Sequence, residues 1–496
     1  MNDDSQTSNN NQPNATAEQA PAPATPPIEA NSVSDQPQPA STSEPTPAPS
    51  EPAPAPEPNP VPVPQPTAAQ PSVQKEPTQS QKPKKSKKPV IIASIMTVVV
   101  LISVIAIIFI HEHLENQRLD AESVLLKSDL TVEFGSQVKV SDCLASLHGE
   151  LVDDFTINTE QLGEQTISFE YINAKNRKRP YELTINVVDT VKPEIFGSSG
   201  TYTLYTGYQG ELTDHMLSVD NIDDRPTREI RGKYDLNKPG AYDVEYVITD
   251  ASGNEAKKAF TLNIIDPPAD SGEEDSPART ELTPISRIIR LNKTDQTKIG
   301  IDVSQWQGKI DWQKVKAAGV EFAMIRIGYQ YGFGGEYVLD PYFEANLAGA
   351  KANDLPVGVY FYSYAKTPDE AKSQVEWIVE KLGNVDLELG IAFDWENWAS
   401  FNSANMSLYT INKTAEAFLS ATKDADYKPL LYSSKNYLDL IWRPKDFASK
   451  FDNFDVWLAQ YYDYPTYTGD FQIWQMTDSG SVPGISGAVD IDIMYK

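Results

Sequence analysis

The stretch Ile391-Ala-Phe-Asp-Trp-Glu-Asn-Trp-Ala-Ser400 decides how the rest of the chain is read. An apolar run, Ile391 to Phe393, leads into two carboxylates separated by one residue. In an extended strand, side chains at i and i+2 share a face. Asp394 and Glu396 are therefore expected side by side at the end of a buried strand, and Trp395 on the opposite face, in the core. Like charges held together are costly, and their pKa values are driven apart. A barrel of alternating strands and helices places its chemistry at such strand ends.

The flanking sequence supplies that barrel. From residue 298 to 496, strand-like runs recur at "IGIDVS" (299–304), "FAMIRIG" (322–328), "VGVYFYSYA" (357–365), "GIAFDWE" (390–396), "PLLYSS" (429–434), "DVWLAQY" (455–461), "FQIWQM" (471–476) and "DIDIMY" (490–495). Helix-length segments such as 369–383 and 410–424 separate the first five strands. The gaps among the last three are too short for a helical crossover. The pattern predicts an eight-stranded α/β barrel that begins as β/α repeats and ends as plain strands. Asp302 falls near the end of the first strand. Asp490 and Asp492 open the last, facing the same mouth if that strand is antiparallel.

All eight tryptophans lie in this region, and none of the four histidines (His111, His113, His148, His215) nor the single cysteine, Cys143, does. That excludes Ser-His-Asp, Cys-His and His-ligated zinc chemistry in the barrel, and no metal or cofactor is expected. Paired carboxylates remain, as glycoside hydrolysis requires: one protonates the leaving oxygen, and one anion supports the oxocarbenium-like centre or activates water. Aromatic residues at barrel positions are candidate sugar contacts: Tyr362, Tyr432, Trp457, Tyr461, Trp474 and Trp306.

The ordered motifs "GIDVSQWQGKIDWQKVKAAGVEFAMIRIGY", "DPYFEANLAGAKANDLPVGVYFY", "FDWE", "VWLAQY", "QIWQ" and "SGAVDID" resemble glycoside hydrolase family 25, the lysozymes that act as N-acetylmuramidases. The resemblance spans 298–496 and implies a (β/α)5β3 barrel. It implies cleavage of the β-1,4 bond between N-acetylmuramic acid and N-acetylglucosamine. By that resemblance Glu396 matches the general acid. Asp394 matches a nucleophile or the residue that orients the substrate's acetamido group. Asp302 and Asp490 match further mouth carboxylates that tune these and bind sugar, and Asp492 is a less secure substrate contact. Two other readings stay open: a non-catalytic wall-binding or adhesion protein, and a glycosidase of another amino-sugar polymer.

Upstream, the chain changes character three times. Residues 1–89 are rich in Pro and Ala and end in a Lys cluster, "KPKKSKKP" (82–89). Such composition cannot bury enough surface to order itself, so it reads as a disordered spacer, or as a docking tail for a cytoplasmic partner. "VIIASIMTVVVLISVIAIIFI" (90–110) is long and apolar enough for a transmembrane helix. The preceding lysines put the tail in the cytoplasm and everything after residue 110 outside.

After a connector (111–127), two units repeat. "LGEQTISFEYINAKNRKRPYELTINVVD" (162–189) overlays "PGAYDVEYVITDASGNEAKKAFTLNIID" (239–266). Each alternates as a half-buried hairpin does. Two all-β sandwiches are expected, at 128–190 and 191–267, resembling bacterial immunoglobulin-like modules, with a linker at 268–297. "VDNIDD" (219–224) gathers carboxylates of the kind calcium takes, but lacks the Asp/Gly spacing of a calcium loop and reads as an acidic loop. A formal net charge of -28 excludes a nucleic-acid partner, since phosphate binding needs a basic face.

Overall fold

A computed structural model describes residues 88–197, 200–267, 281–442 and 454–496. The expected cytoplasmic tail lies outside them except for Lys88 and Pro89, as do residues 268–280 of the expected linker. The described residues fall into two units that part after Ile108.

The apolar segment is helical, Lys88–Ser123, and runs through most of the expected connector. Its stretch Met96–Asp120 is long and apolar enough to cross a membrane. At about 1.5 Å per residue its 25 residues reach roughly 37 Å, more than a bilayer's hydrocarbon core of about 30 Å. Side chains such as Leu101, Ile107 and Phe109 are exposed.

The sequence repeat is a repeat of topology. In the first module, strand Gly163–Asn173 pairs antiparallel with Lys178–Val188, flanked by Gly149–Leu151 and, parallel, by Thr131–Glu133. In the second, Gly240–Thr249 pairs with Glu255–Ile265, flanked by Thr227–Arg231 and, parallel, by Thr201–Tyr205. In each module the four-stranded sheet shares its core with a neighbouring turn: Phe169, Leu183 and Ile185 cluster with Val140 of the turn Val140–Cys143, and Val244, Tyr246 and Leu262 with Met216, which follows the turn Leu212–His215. These are single sheets, smaller than the two-sheet sandwiches expected.

The barrel strands are β1 Thr297–Val303, β2 Phe322–Gln330, β3 Val357–Tyr362, β4 Gly390–Asp394, β5 Pro429–Ser434, β6 Asp455–Ala459, β7 Ile473–Ser481 and β8 Val489–Tyr495. β1 to β7 are mutually parallel. β8 runs antiparallel between β7 and β1 and closes the barrel. Helices α1 Trp312–Ala317, α2 Phe343–Ala352, α3 Pro368–Leu382, α4 Leu408–Asp424 and α5 Lys435–Leu440 follow the first five strands. Among the described residues no helix separates the last three strands, so the (β/α)5β3 order holds. α4 shows why the sequence folds this way: Ser407 caps it by accepting from Thr410 N, and Ile411, Ala415 and Phe418 bury one face on the strands.

The expected linker is not a free tether over its last part. Thr283 and Pro284 pair with Gly480 and Ser481, and the helix Ile285–Asn292 buries Ile285 and Ile288 in the barrel's outer core. The second module also sits on the barrel. Asn402 accepts from Ser218 N and donates to Thr213 O and Met216 O, and Val219 joins the barrel's core.

Candidate active site

The parallel run of β1 to β7 brings their C-terminal ends to one mouth, and antiparallel β8 brings its start there. Register then builds the site. Tyr362, Asp394, Tyr432 and Trp457 are lateral neighbours across β3, β4, β5 and β6. On the other side Asp302 lies directly opposite Asp490, and Gly300 opposite Asp492. A cavity of about 300 Å³ opens between these walls, lined by Asp302, Arg326, Tyr362, Asp394, Glu396 and Asp490 among others.

One amide organises the acidic side. Gln475 Nε2 donates to Asp302 Oδ2 (2.9 Å) and Asp490 Oδ2 (3.1 Å). Its Oε1 accepts from the hydroxyls of Tyr432 and Tyr461, each at 2.9 Å. Trp457 Nε1 donates to Asp492 Oδ1 at 2.8 Å, while Asp492 Oδ2 is buried without a donor. Removing water from this floor raises Asp302 and Asp492 well above the ordinary carboxylate range, and their mutual repulsion with Asp490 adds to it. Burial also pushes Asp490 up to about 7, with Asp478 adding negative charge. Such a cluster shares protons rather than carrying three full charges.

The other pair is Asp394 and Glu396. Asp394 is buried, and its Oδ1 has no donor. Burial and then Glu396 raise it; the buried cation Arg326 opposes them. Arg326 is anchored by an Asp340 ion pair at 2.8 Å, with its Nη2 left unpartnered. Crowding of the mouth pushes Glu396 up to about 7, with Asp490 adding to it and the Tyr432 hydroxyl opposing. Glu396 stands exposed at the rim, so solvent screening trims this rise without reversing it. The one Tyr432 proton serves a single acceptor at a time, Gln475 Oε1 at 2.9 Å or the Glu396 carboxylate. One proton shared between Asp394 and Glu396 leaves one acid and one anion; Arg326 lowers the cost of the anion at Asp394, although burial still holds that carboxyl well above the usual range. That is an acid beside a base, as glycosidic cleavage needs.

Not every aromatic candidate reaches the mouth. Tyr362, Tyr432, Trp457 and Trp306 line the cleft. Tyr461 is half exposed beside it and touches Gln475. Trp474 points the other way: in the β6–β7 register it neighbours Leu458, and its Nε1 donates to Gln460 O in the outer core. Asp492 lies beneath the cavity, held by Trp457 rather than lining it. Trp395 is buried as expected, its Nε1 donating to Ala365 O and its ring against Trp398 and Phe401. Sequence reasoning missed Arg326, Tyr360 and Gln475, interior positions whose only signal was strand parity.

Comparison with known proteins agrees with this geometry. Residues 301–485 match the family described as glycosyl hydrolases family 25. The chain is similar to the uncharacterized protein YegX of Escherichia coli O157:H7, 27% identical over 199 residues, which are 39% of this chain and 68% of that one. It is 26% identical to the autolytic lysozyme of Clostridium acetobutylicum over 196 residues, 39% of this chain and 54% of that protein. A solved family 25 glycosyl hydrolase from Bacillus anthracis aligns with 41% of this chain and 92% of its own, at 21% identity and a TM-score of 0.35. The barrel of this chain is a family 25 glycosyl hydrolase domain.

Proposed function

We propose that the protein is a membrane-tethered peptidoglycan hydrolase that cleaves the β-1,4 bond between N-acetylmuramic acid and N-acetylglucosamine. The observation that carries this reading is the pairing of Glu396, pushed up to about 7, with Asp394, whose anion Arg326 favours, inside a family 25 barrel. Glu396 protonates the leaving oxygen. Asp394 stays an anion, and its donor-free Oδ1 is placed to accept an N–H from the substrate's acetamido group or to attack directly. Asp302 and Asp490 hold charge and sugar at the opposite wall. Similarity to lysozymes supports the substrate class.

The apolar helix supports tethering, and the Lys-rich flank supports a cytoplasmic N-terminus with the barrel outside. In sequence the two modules lie between the apolar helix and the barrel, the order expected of spacers. Tethering would confine cleavage to the cell's own wall, as remodelling or division needs.

The test is digestion of purified peptidoglycan by the full chain in detergent micelles, with new ends reduced and read by mass spectrometry. Reduced muramic acid ends are expected; reduced glucosamine ends, or intact glycan, would sink the assignment. Trp306 is 76% exposed at the cleft edge, suited to stack on a sugar face. Trp306→Ala is expected to raise KM roughly three- to tenfold, from loss of about 0.5–1.5 kcal/mol of stacking, with melting unchanged. An unchanged KM would remove Trp306 from the sugar path.

A further inference from the structure

Three carboxylates that the barrel chemistry does not use meet where both modules join the barrel. Asp189 ends the first module's hairpin, Asp220 follows the short strand Ser218–Val219, and Asp250 begins the second module's hairpin turn. One oxygen from each lies within 4.8 Å of the others. The residues are 7%, 0% and 6% exposed.

The surroundings hold these side chains in place. Asp220 Oδ1 accepts from Ile222 N and Asp223 N. Asp250 accepts from Asn254 N and Nδ2. Asn221 Nδ2 donates to Asp189 Oδ1, which also accepts from Val191 N. Two oxygens are left over. Asp220 Oδ2 and Asn221 Oδ1 are buried and have no donor. Among the described residues, no Lys, Arg or His forms an ion pair with any of the three acids. Buried anions without a counter-charge are strongly disfavoured.

We infer that Asp189, Asp220 and Asp250 bind a calcium ion that ties the two modules to each other and to the barrel. The donors are all oxygen, which selects a hard cation over zinc or copper. Calcium binds oxygen at about 2.4 Å, so ligands on opposite sides of it stand up to about 4.8 Å apart. The three oxygens, all within 4.8 Å of one another, fit inside that reach, and calcium, unlike magnesium, accepts the irregular geometry of ligands already fixed by their own hydrogen bonds. Calcium takes 6–8 ligands, so water completes the shell. An open cleft lined by Asp189, Asp223, Asp224 and Ser252 offers the way in.

The same loop grips the barrel. Asp220 O accepts from Leu408 N, and Asp224 Oδ1 accepts from Ser407 N and Oγ at the start of α4. Ordering Asp220 therefore orders the attachment of the stalk. The ligands come from three distant parts of the chain, so the local spacing of "VDNIDD" could not reveal them.

The full chain in detergent micelles, stripped with a chelating resin, would be titrated with calcium chloride in a calorimeter, with magnesium chloride as the comparison. One calcium per chain is expected, with a rise in melting temperature of several degrees that equal magnesium does not match. Asp220→Asn should abolish binding. Its melting temperature should fall below the wild type's in calcium and rise above it in EGTA, where it only relieves repulsion. Asp250→Asn should show the same reversal of sign, which covers a folding failure of the first variant. No calcium bound at millimolar concentration, with both variants more stable than wild type in either buffer, would overturn the site.

Discussion

Replacing Glu396 with glutamine is expected to lower turnover on peptidoglycan by about 10³–10⁴-fold while leaving melting nearly unchanged. The magnitude is that of a lost general acid on a poor leaving group. Glutamine keeps the shape, and the wall Tyr432–Gln475–Asp302 is held by bonds that do not involve it. What it cannot do is transfer a proton. The wild-type rate should fall above pH about 7, as Glu396 loses its proton. The falling limb should vanish in the residual activity of the variant. A Glu396→Gln rate within tenfold of wild type, or an unchanged alkaline limb, would move the proton donor elsewhere. Folding of both proteins would be checked by melting curves in the same buffer.

Much of this site could be read before any coordinates. Asp394 and Glu396 declare themselves by strand parity, because a period of two leaves no other face for both. Trp395 between them is placed by the same rule, and the structure buries it. The number and order of barrel strands follow from the spacing of apolar runs and from the short gaps after β6.

What parity cannot give is which of a strand's two faces turns inward. Trp457 and Trp474 illustrate this. Both sit in apolar strands, but the register sets Trp457 beside Ile473 and Trp474 beside Leu458, so only Trp457 reaches the cleft. Gln475 and Arg326 escaped notice for a related reason. Each becomes functional only through partners far away in sequence, 173 residues for Gln475 and Asp302. The docking of the second module on Asn402 was equally invisible, since an Asn in a short helix carries no sign of what it binds.

The acidic mouth has a cost that a second experiment can read. Asp490 has its carboxyl pushed up from 3.8 to about 7 in the folded barrel. A raised carboxyl holds its proton more tightly when folded than when unfolded. Below pH about 4 both states are protonated and the group contributes nothing to the pH dependence. As pH rises from about 4, the unfolded chain ionises first, and stability falls. The fall is complete once Asp490 itself ionises near pH 7. Asp302 and Asp492 act in the same direction. Asp490→Asn keeps an oxygen for Gln475 and removes the charge. The variant is therefore expected to melt about 4–10 °C above wild type at pH 8, for a relief of roughly 2–3 kcal/mol, and within about 2 °C of it at pH 4.5. Comparing the two proteins at each pH cancels acids elsewhere in the chain, such as Asp154, whose pKa is shifted the other way. Equal melting of the two proteins at pH 8, or a lower value for the variant, would mean that Asp490 is stabilised as an anion. Activity measured on the same samples should fall as stability rises, because the repulsion that Asp490 contributes is part of what keeps Glu396 protonated near neutrality.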